Sequence, residues 1–106
     1  MSGGTPAEAF AWEDGGWSRR LVTRCALARV CGACGTPLGR PIAFLGDAEE
    51  TARNAFHAPP MHRACAEGLQ GPVGATHLVL TAGFEFVRPG ADDPDTRVRC
   101  APNSLL

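Results

Sequence analysis

Two short pairs of side chains have the residue types and the spacing of metal ligands. The first pair is Cys31 and Cys34 in "CGACGTPLG", and the second pair is His62 and Cys65 in "HRAC". Thiolate sulfur and imidazole nitrogen are the donors that zinc most often takes from proteins, usually four in a tetrahedron. The two pairs together make a Cys₃His set, so the sequence predicts a structural Zn²⁺ ion.

The residues around each pair favour two different local structures. Two glycines, Gly32 and Gly35, lie in and beside the first pair and allow the sharp turn of a zinc knuckle. His62 and Cys65 are three residues apart, which places them on one face of a helical turn. Pro60 is suited to the first position of that helix, whose positive end would favour a bound thiolate.

Two other ligand arrangements stay open at this point. His57 could take the place of His62, or lie behind the ligands as a hydrogen-bond partner. Cys25, counted with Cys31, Cys34 and Cys65, makes a spacing that resembles that of adrenodoxin-like [2Fe–2S] ferredoxins. The nearly neutral charge and the helix-like, glycine-free segment "CALARVC" favour zinc, and an iron–sulfur cluster would leave His62 without a role.

Length and composition limit the class of protein. A chain of 106 residues has room for one domain, whose core is marginal unless something such as a metal staples it. The formal net charge of −1 argues against a general binder of polyanions. Five cysteines, an odd number, argue against a closed disulfide framework. No signal peptide or membrane-length apolar run is evident, so we expect a cytoplasmic protein with reduced thiols.

The elements that must position the ligands are predicted to be short. Residues 14–16 predict a hairpin turn, and Ser18 predicts the cap of a helix that ends near Arg29. Leu21, Val22, Cys25 and Ala28 form the apolar stripe of this helix. Residues 41–46 predict a strand, and Asp47 with Glu50 predicts a capped helix to about Ala55. "PMHRACAEGLQ" predicts the ligand-bearing helix, and "THLVLTAG" and "FEFVR" predict β segments.

These elements divide the chain into three parts. Residues 1–9 are predicted to be a flexible N-terminus, and residues 10–90 a single zinc-binding α+β domain. Residues 91–106 are predicted to be an extended C-terminal tail on the surface, because they are rich in Asp and Pro.

The order of these parts resembles the treble-clef family of zinc modules, in which a knuckle and β structure precede a helix that carries the last two ligands. The combination "CGACGTPLGRP…APPMHRACAEG" also resembles small zinc-binding proteins of actinobacteria and their phages. In those proteins a CxxCGxxLG element is followed by PPxHxxCA. The resemblance covers about a third of the chain. It implies the same four ligands and no activity.

Three classes of function follow from a closed four-ligand site. Catalytic zinc keeps one coordination position open and the signatures of zinc enzymes are absent, so we do not expect an enzyme. An accessory or protein-interaction module is favoured, with nucleic-acid binding as the alternative and an electron-transfer protein or small metalloenzyme as the second alternative. The basic surface that could contact nucleic acid or a partner protein comprises Arg19, Arg20, Arg24 and Arg29. Oligomeric state is not predicted.

Overall fold

Short strands and short helices alternate along residues 6–104, the part of the chain that the computed structural model describes. The strands are β1 (Trp12–Glu13), β2 (Gly16–Trp17), β3 (Ile42–Gly46), β4 (Met61–His62), β5 (His77–Thr81), β6 (Gly83–Val87) and β7 (Arg99–Ser104). The helices are α1 (Arg19–Ala28), α2 (Ala48–Arg53) and α3 (Arg63–Gln70), after a 3-10 helix at Pro6–Glu8. The fold is therefore a small mixture of α and β elements, and none of its described helices is long and apolar enough to cross a membrane.

The predicted hairpin is present and is closed by a left-handed turn. Asp14 and Gly15 have φ angles of 52° and 81°, and they join β1 to β2 as an antiparallel pair. This conformation suits the right-handed twist of a two-stranded hairpin. The rings of Trp12 and Trp17 meet edge to face across it, with their centroids 4.9 Å apart.

Helix α1 begins where its capping residue predicts. The Ser18 side chain accepts a hydrogen bond from the Leu21 N–H at 3.3 Å. The predicted apolar stripe is wrong at one position, because Ala26 is buried while Ala28 is exposed. The chain turns out of the helix at Arg29, which has a φ angle of 58°, so Ala28 lies at the end of the packed face.

Strand β3 is the centre of a three-stranded antiparallel sheet with the order β4-β3-β5. All five of its residues are buried. Successive side chains of a strand point to opposite faces of the sheet. Ala43 and Leu45 accordingly pack in one buried cluster with Cys31, while Ile42 and Phe44 pack in another.

Helix α2 has the predicted capping box. The Asp47 carboxylate accepts from the Glu50 N–H at 2.8 Å, and the Glu50 carboxylate accepts from the Asp47 N–H at 3.2 Å. The helix ends two residues before the predicted Ala55, because Asn54 takes a left-handed conformation with a φ angle of 55°.

The predicted start of the ligand-bearing helix at Pro60 is wrong. Met61 and His62 form β4, which pairs with Ala43 and Ile42 of β3, and α3 begins only at Arg63. Met61 is fully buried there. The preference of proline for a helix start therefore yields to pairing with β3, and His62 becomes the residue that precedes the helix.

The sequence predicted an extended surface tail over residues 91–106, but the structure places Arg99–Ser104 in strand β7. Strand β7 pairs with β6, and Val98 and Cys100 are buried. Cys100 also exchanges two backbone hydrogen bonds of 2.8 Å with Phe56. The predicted flexible N-terminus comprised residues 1–9, of which residues 1–5 lie outside the described residues and Ala9 is buried.

Three phenylalanines form the aromatic core, a name used below for Phe44, Phe56 and Phe84. The Phe44 ring stacks on Phe56 with centroids 5.8 Å apart, and it meets Phe84 edge to face at 5.4 Å. Phe44 and Phe56 are fully buried. This core joins β3, the segment after α2, and β6 without any contribution from the four predicted ligands.

Candidate metal centre

The four predicted ligands converge, although they come from two separate segments. Cys31 and Cys34 lie in the turn between α1 and β3, His62 ends β4, and Cys65 lies in the first turn of α3. Their three Sγ atoms and one imidazole nitrogen all lie within 4.8 Å of one another. Cys31 is buried and Cys34 is exposed, so the cluster meets solvent on the Cys34 side.

Backbone hydrogen bonds fold the first pair into a tight turn. The Cys31 N–H donates to the Thr36 carbonyl, and the Gly35 N–H donates to the Cys31 carbonyl, both at 2.8 Å. Gly35 has a φ angle of 74°, which glycine adopts without steric cost. Val30 and Pro37 form an isolated antiparallel bridge across the base of the turn. The turn has the form of the predicted knuckle.

Gly32 attaches this turn to the second ligand segment. Its N–H donates to the Pro60 carbonyl at 2.8 Å. A Cβ atom at position 32 would lie 2.1 Å from Cγ of Pro59. Only glycine therefore allows the backbone of the turn to approach the residues that lead into β4.

The buried sulfur of Cys31 accepts two backbone hydrogen bonds. The Ala33 N–H and the His62 N–H each lie 3.4 Å from this Sγ atom. Hydrogen bonds from N–H groups stabilise a thiolate more than a thiol, because the thiolate carries the negative charge. Both ligand segments thus contribute a donor to the same sulfur.

His62 presents its Nδ1 atom to the sulfurs. Nδ1 lies 3.3 Å from Cys34 Sγ and 3.9 Å from Cys65 Sγ. The other ring nitrogen, Nε2, lies 3.0 Å from the Pro37 carbonyl, which can only accept. Nε2 therefore carries the proton, and the lone pair of Nδ1 faces the cluster. A hydrogen bond of this kind fixes the ring orientation of metal-binding histidines.

Three sulfurs this close cannot all be anionic without a compensating charge. Burial and the nearby Cys31 and Cys34 raise the pKa of Cys65 to about 12. Burial also acts to raise the pKa of Cys34, but hydrogen bonds from Thr36 and Cys31 outweigh it and lower that pKa to about 6. A divalent cation among the sulfurs would remove the repulsion that keeps Cys65 protonated.

Two of the donor-atom separations lie close to those of tetrahedral coordination. Bonds of about 2.3 Å to sulfur and about 2.0 Å to nitrogen place neighbouring ligand atoms roughly 3.5–3.8 Å apart. The separations of 3.3 Å and 3.9 Å between His62 Nδ1 and two sulfurs lie close to this range. The cluster is a Cys₃His group positioned to bind a metal ion.

His57 does not belong to this group of ligands. Its Nδ1 lies 2.9 Å from Glu50 Oε2 and its Nε2 lies 2.6 Å from Asp95 Oδ2. Asp95 also accepts from the backbone and the side chain of Arg97, which lowers the pKa of its carboxyl well below the usual range. Both ring nitrogens of His57 are thus engaged by carboxylates, and the structure brings only His62 to the sulfurs.

Cys25 and Cys100 also lie outside the cluster. Both are fully buried. Burial, with Cys31 nearby, raises the pKa of Cys25 to about 11, and burial, with Cys25 nearby, raises that of Cys100 to about 12. At neutral pH both side chains are neutral thiols within the core.

The predicted basic surface is divided in the structure. Arg19, Arg20, Arg24 and Arg29 are all exposed. Arg19 and Arg20 line a depression beside α1, whereas the guanidinium of Arg29 lies 4.9 Å from the centroid of Phe84. The four arginines therefore do not form one continuous basic surface.

Sequence reasoning missed two residues that support the ligands, Thr36 and Pro37. The Thr36 hydroxyl lies 3.0 Å from Cys34 Sγ, and the Pro37 carbonyl accepts from His62. The only available signal was their position directly after "CGACG". A carbonyl is common to every residue, so residue types alone could not identify the second contact.

No family model, curated protein or solved structure matches this chain. The resemblance of its motifs to small actinobacterial and phage proteins therefore stays a prediction. The functional argument rests on the geometry of the Cys₃His cluster.

Proposed function

We propose that the chain is a small accessory module that binds one structural Zn²⁺ ion through Cys31, Cys34, His62 and Cys65. The convergence of these four donor atoms within 4.8 Å carries the proposal. Three thiolates and one imidazole are a donor set typical of structural zinc. Calcium and magnesium take oxygen ligands instead, so the donor chemistry argues against them.

The arrangement of elements supports a treble-clef type of module. The knuckle turn comes first, the antiparallel pair of β3 and β4 follows, and Cys65 lies in the first turn of α3. Along the chain, helix α2 is inserted between these two paired strands, so the connection from β3 to β4 is long. The three-stranded sheet and the β6–β7 pair extend it further.

A structural role is favoured over catalysis by the number of protein ligands. Catalytic zinc usually has three protein ligands and keeps a fourth position for water or substrate. Here four side chains supply a full tetrahedral set, so the ion would hold the knuckle against β4 and α3. We therefore propose that the protein acts through its surface and not through chemistry at the metal.

The positions of Cys25 and His62 favour a single zinc ion over an iron–sulfur cluster. The ferredoxin-like alternative needs Cys25 as a ligand and has no use for His62. Cys25 is buried on α1 outside the group, while His62 lies within it. Both observations favour a mononuclear site.

Metal analysis of the purified protein tests the proposal. We expect one zinc per chain and a colourless protein, and cobalt(II) substitution should give the visible absorption of a tetrahedral thiolate site. His62→Ala should weaken cobalt binding strongly, whereas His57→Ala should leave the cobalt spectrum unchanged. Iron with visible absorption in the isolated protein, or the reverse behaviour of the two histidine variants, would contradict the proposal.

A further inference from the structure

Two adjoining depressions beside α1 form a groove that the metal site does not explain. The larger depression, of about 460 Å³, is lined by Arg19, Arg20, Thr23, Arg88 and Val98. The smaller one is lined by Trp17, Arg19, Val22, His57, Arg97 and Val98. Arg19 and Val98 belong to both, so the two depressions are continuous. We call them together the arginine groove.

The walls of the arginine groove carry positive charge from several elements. Arg19 and Arg20 begin α1, Arg88 follows β6, and Arg97 precedes β7. Neither depression has an Asp or Glu in its lining. Chain segments that are far apart in sequence thus bring guanidinium groups to one surface.

Two of these four arginines are not paired with a carboxylate. Among residues 6–104, Arg19 and Arg88 have no carboxylate within salt-bridge distance. Arg20 reaches Glu13 at 3.5 Å, and Arg97 Nε lies 3.1 Å from Asp95 Oδ1. The guanidinium of Arg88 lies 5.8 Å from the centroid of the Phe86 ring, which restricts its movement. A guanidinium that is already positioned loses less entropy when it binds a carboxylate in a bidentate manner.

The floor of the groove is apolar. Val22 and Val98 are nearly fully buried beneath it, and the half-buried ring of Trp17 forms one wall. An apolar side chain could cover this ring while neighbouring carboxylates meet the arginines. The groove therefore suits a ligand that alternates acidic and apolar groups.

A polyanion that extended past Arg97 would meet negative charge, the same sign as its own. A third depression begins there, and it is lined by Arg97 together with Asp47, Glu49, Glu50 and Asp95. A nucleic-acid backbone carries a phosphate at every nucleotide and would be repelled there. A short acidic peptide segment can end before this region, so the charge distribution favours a peptide over a nucleic acid.

We propose that the arginine groove is the docking surface for an acidic, apolar-containing peptide segment of a partner protein. This inference rests on the proposed function, since it locates the surface through which a zinc-stapled module would act. Carboxylates of the segment pair with Arg19, Arg20 and Arg88, and an apolar side chain covers Trp17. Complementary charge of this kind contributes to both specificity and the rate of association.

The test uses the zinc-loaded full chain and three probes: a synthetic peptide that alternates Glu and Leu, its Gln and Leu counterpart, and oligodeoxythymidylate. Binding is followed by amide chemical shifts and by tryptophan fluorescence. We expect the acidic peptide to bind at low salt, to perturb Trp17, Arg19 and Val98, and to bind at least about tenfold more tightly than the Gln peptide.

Two double variants locate the surface. Arg19→Glu/Arg88→Glu should reduce binding of the acidic peptide by at least about tenfold. A glutamate at the first position of α1 is favourable for the helix, so the Arg19 change should not disturb folding. Arg24→Glu/Arg40→Glu changes the net charge equally, and both of these exposed arginines lie outside the lining of the groove. This control should bind the peptide nearly as well as the parent.

Four results would overturn the inference: no binding of the acidic peptide by the parent, equal binding of the Gln peptide, equal losses in the two double variants, or tighter binding of oligodeoxythymidylate through the same arginines. Zinc content and melting temperature of every variant are measured alongside. If the folded, zinc-loaded protein does not bind the acidic peptide, the docking proposal is wrong and the metal proposal is unaffected. A folded protein that binds the peptide without zinc refutes the metal proposal alone.

Discussion

Strand β3 separates two regions of the molecule that are stabilised in different ways. On one face, Ala43 and Leu45 pack toward Cys31 of the Cys₃His group. On the other face, Ile42 and Phe44 pack toward Phe56 in the aromatic core. Adjacent residues of one strand thus contribute to a region built around sulfur ligands and to a region built around aromatic rings.

The two regions differ in the size of the buried side chains that surround their centres. Alanines occupy much of the buried cluster beside the metal ligands, namely Ala9, Ala43, Ala58 and Ala66. A fully buried phenylalanine contributes roughly 1.5–3 kcal/mol of transfer free energy, whereas a buried alanine contributes a single methyl group, about 0.8 kcal/mol. Leu45, Met61 and Leu69 complete this cluster. The alanines beside the ligands nevertheless contribute less each than the rings of the aromatic core, and in the proposed zinc site metal–ligand bonds would add to the stability of this region.

The largest expected effect is the loss of a buried ligand. In Cys31→Ser we expect loss of stoichiometric zinc and of the cooperative unfolding transition. The binding free energy of structural zinc, about 10–16 kcal/mol in zinc-finger peptides, is as large as the stability of a typical small domain, about 5–15 kcal/mol. Metal analysis and thermal melting check this. The matched control is Cys25→Ser, which changes an equally buried thiol in the same way. The Cys25→Ser variant should be less stable than the parent but should retain its zinc. Equal zinc loss in both variants would contradict the claim that only one of the two regions depends on the metal.

A smaller effect is expected on the other face of β3. Phe44→Ala should reduce the free energy of unfolding by about 3–5 kcal/mol, because it removes a fully buried ring and leaves a cavity. Urea denaturation of the zinc-loaded protein measures this change. Zinc stoichiometry in native buffer should stay at one per chain. If Phe44→Ala releases the metal while the protein remains folded, the two faces are not independent.

The smallest of these effects concerns the approach of the knuckle to the second ligand segment. Gly32→Ala should cost about 1–3 kcal/mol, because its Cβ atom would overlap the rigid ring of Pro59. It should also weaken zinc binding, which competition with a chelator of known affinity can measure. Gly39→Ala is the control, since a Cβ atom there meets nothing within 4 Å. Equal zinc affinity in the two variants would mean that the close approach at Gly32 does not position the ligands.

Features that depend on local chemistry were predictable from the sequence. The Asp14–Gly15 turn, the Ser18 cap and the capping box of Asp47 each act within a few residues, and the structure confirms them. The paired spacing of the cysteines also indicated which side chains converge. These signals are readable because residue type and short-range geometry determine them.

Features that depend on distant partners were not predictable. The start of α3 is delayed because β4 pairs with β3, and Cys100 is buried because β7 pairs with β6 and with Phe56. The choice between His57 and His62 likewise depends on where Glu50 and Asp95 lie in space. Nothing in the spacing of the two histidines reveals those carboxylates.

The most direct test of the account is removal of the metal from the intact protein. A chelator of high affinity is added, zinc loss is verified by mass spectrometry, and thermal melting is followed by far-UV circular dichroism. The account predicts that the metal-free chain loses its cooperative transition and regains it when zinc is restored. An unchanged spectrum and melting temperature after complete zinc loss would contradict the claim that the metal stabilises the fold.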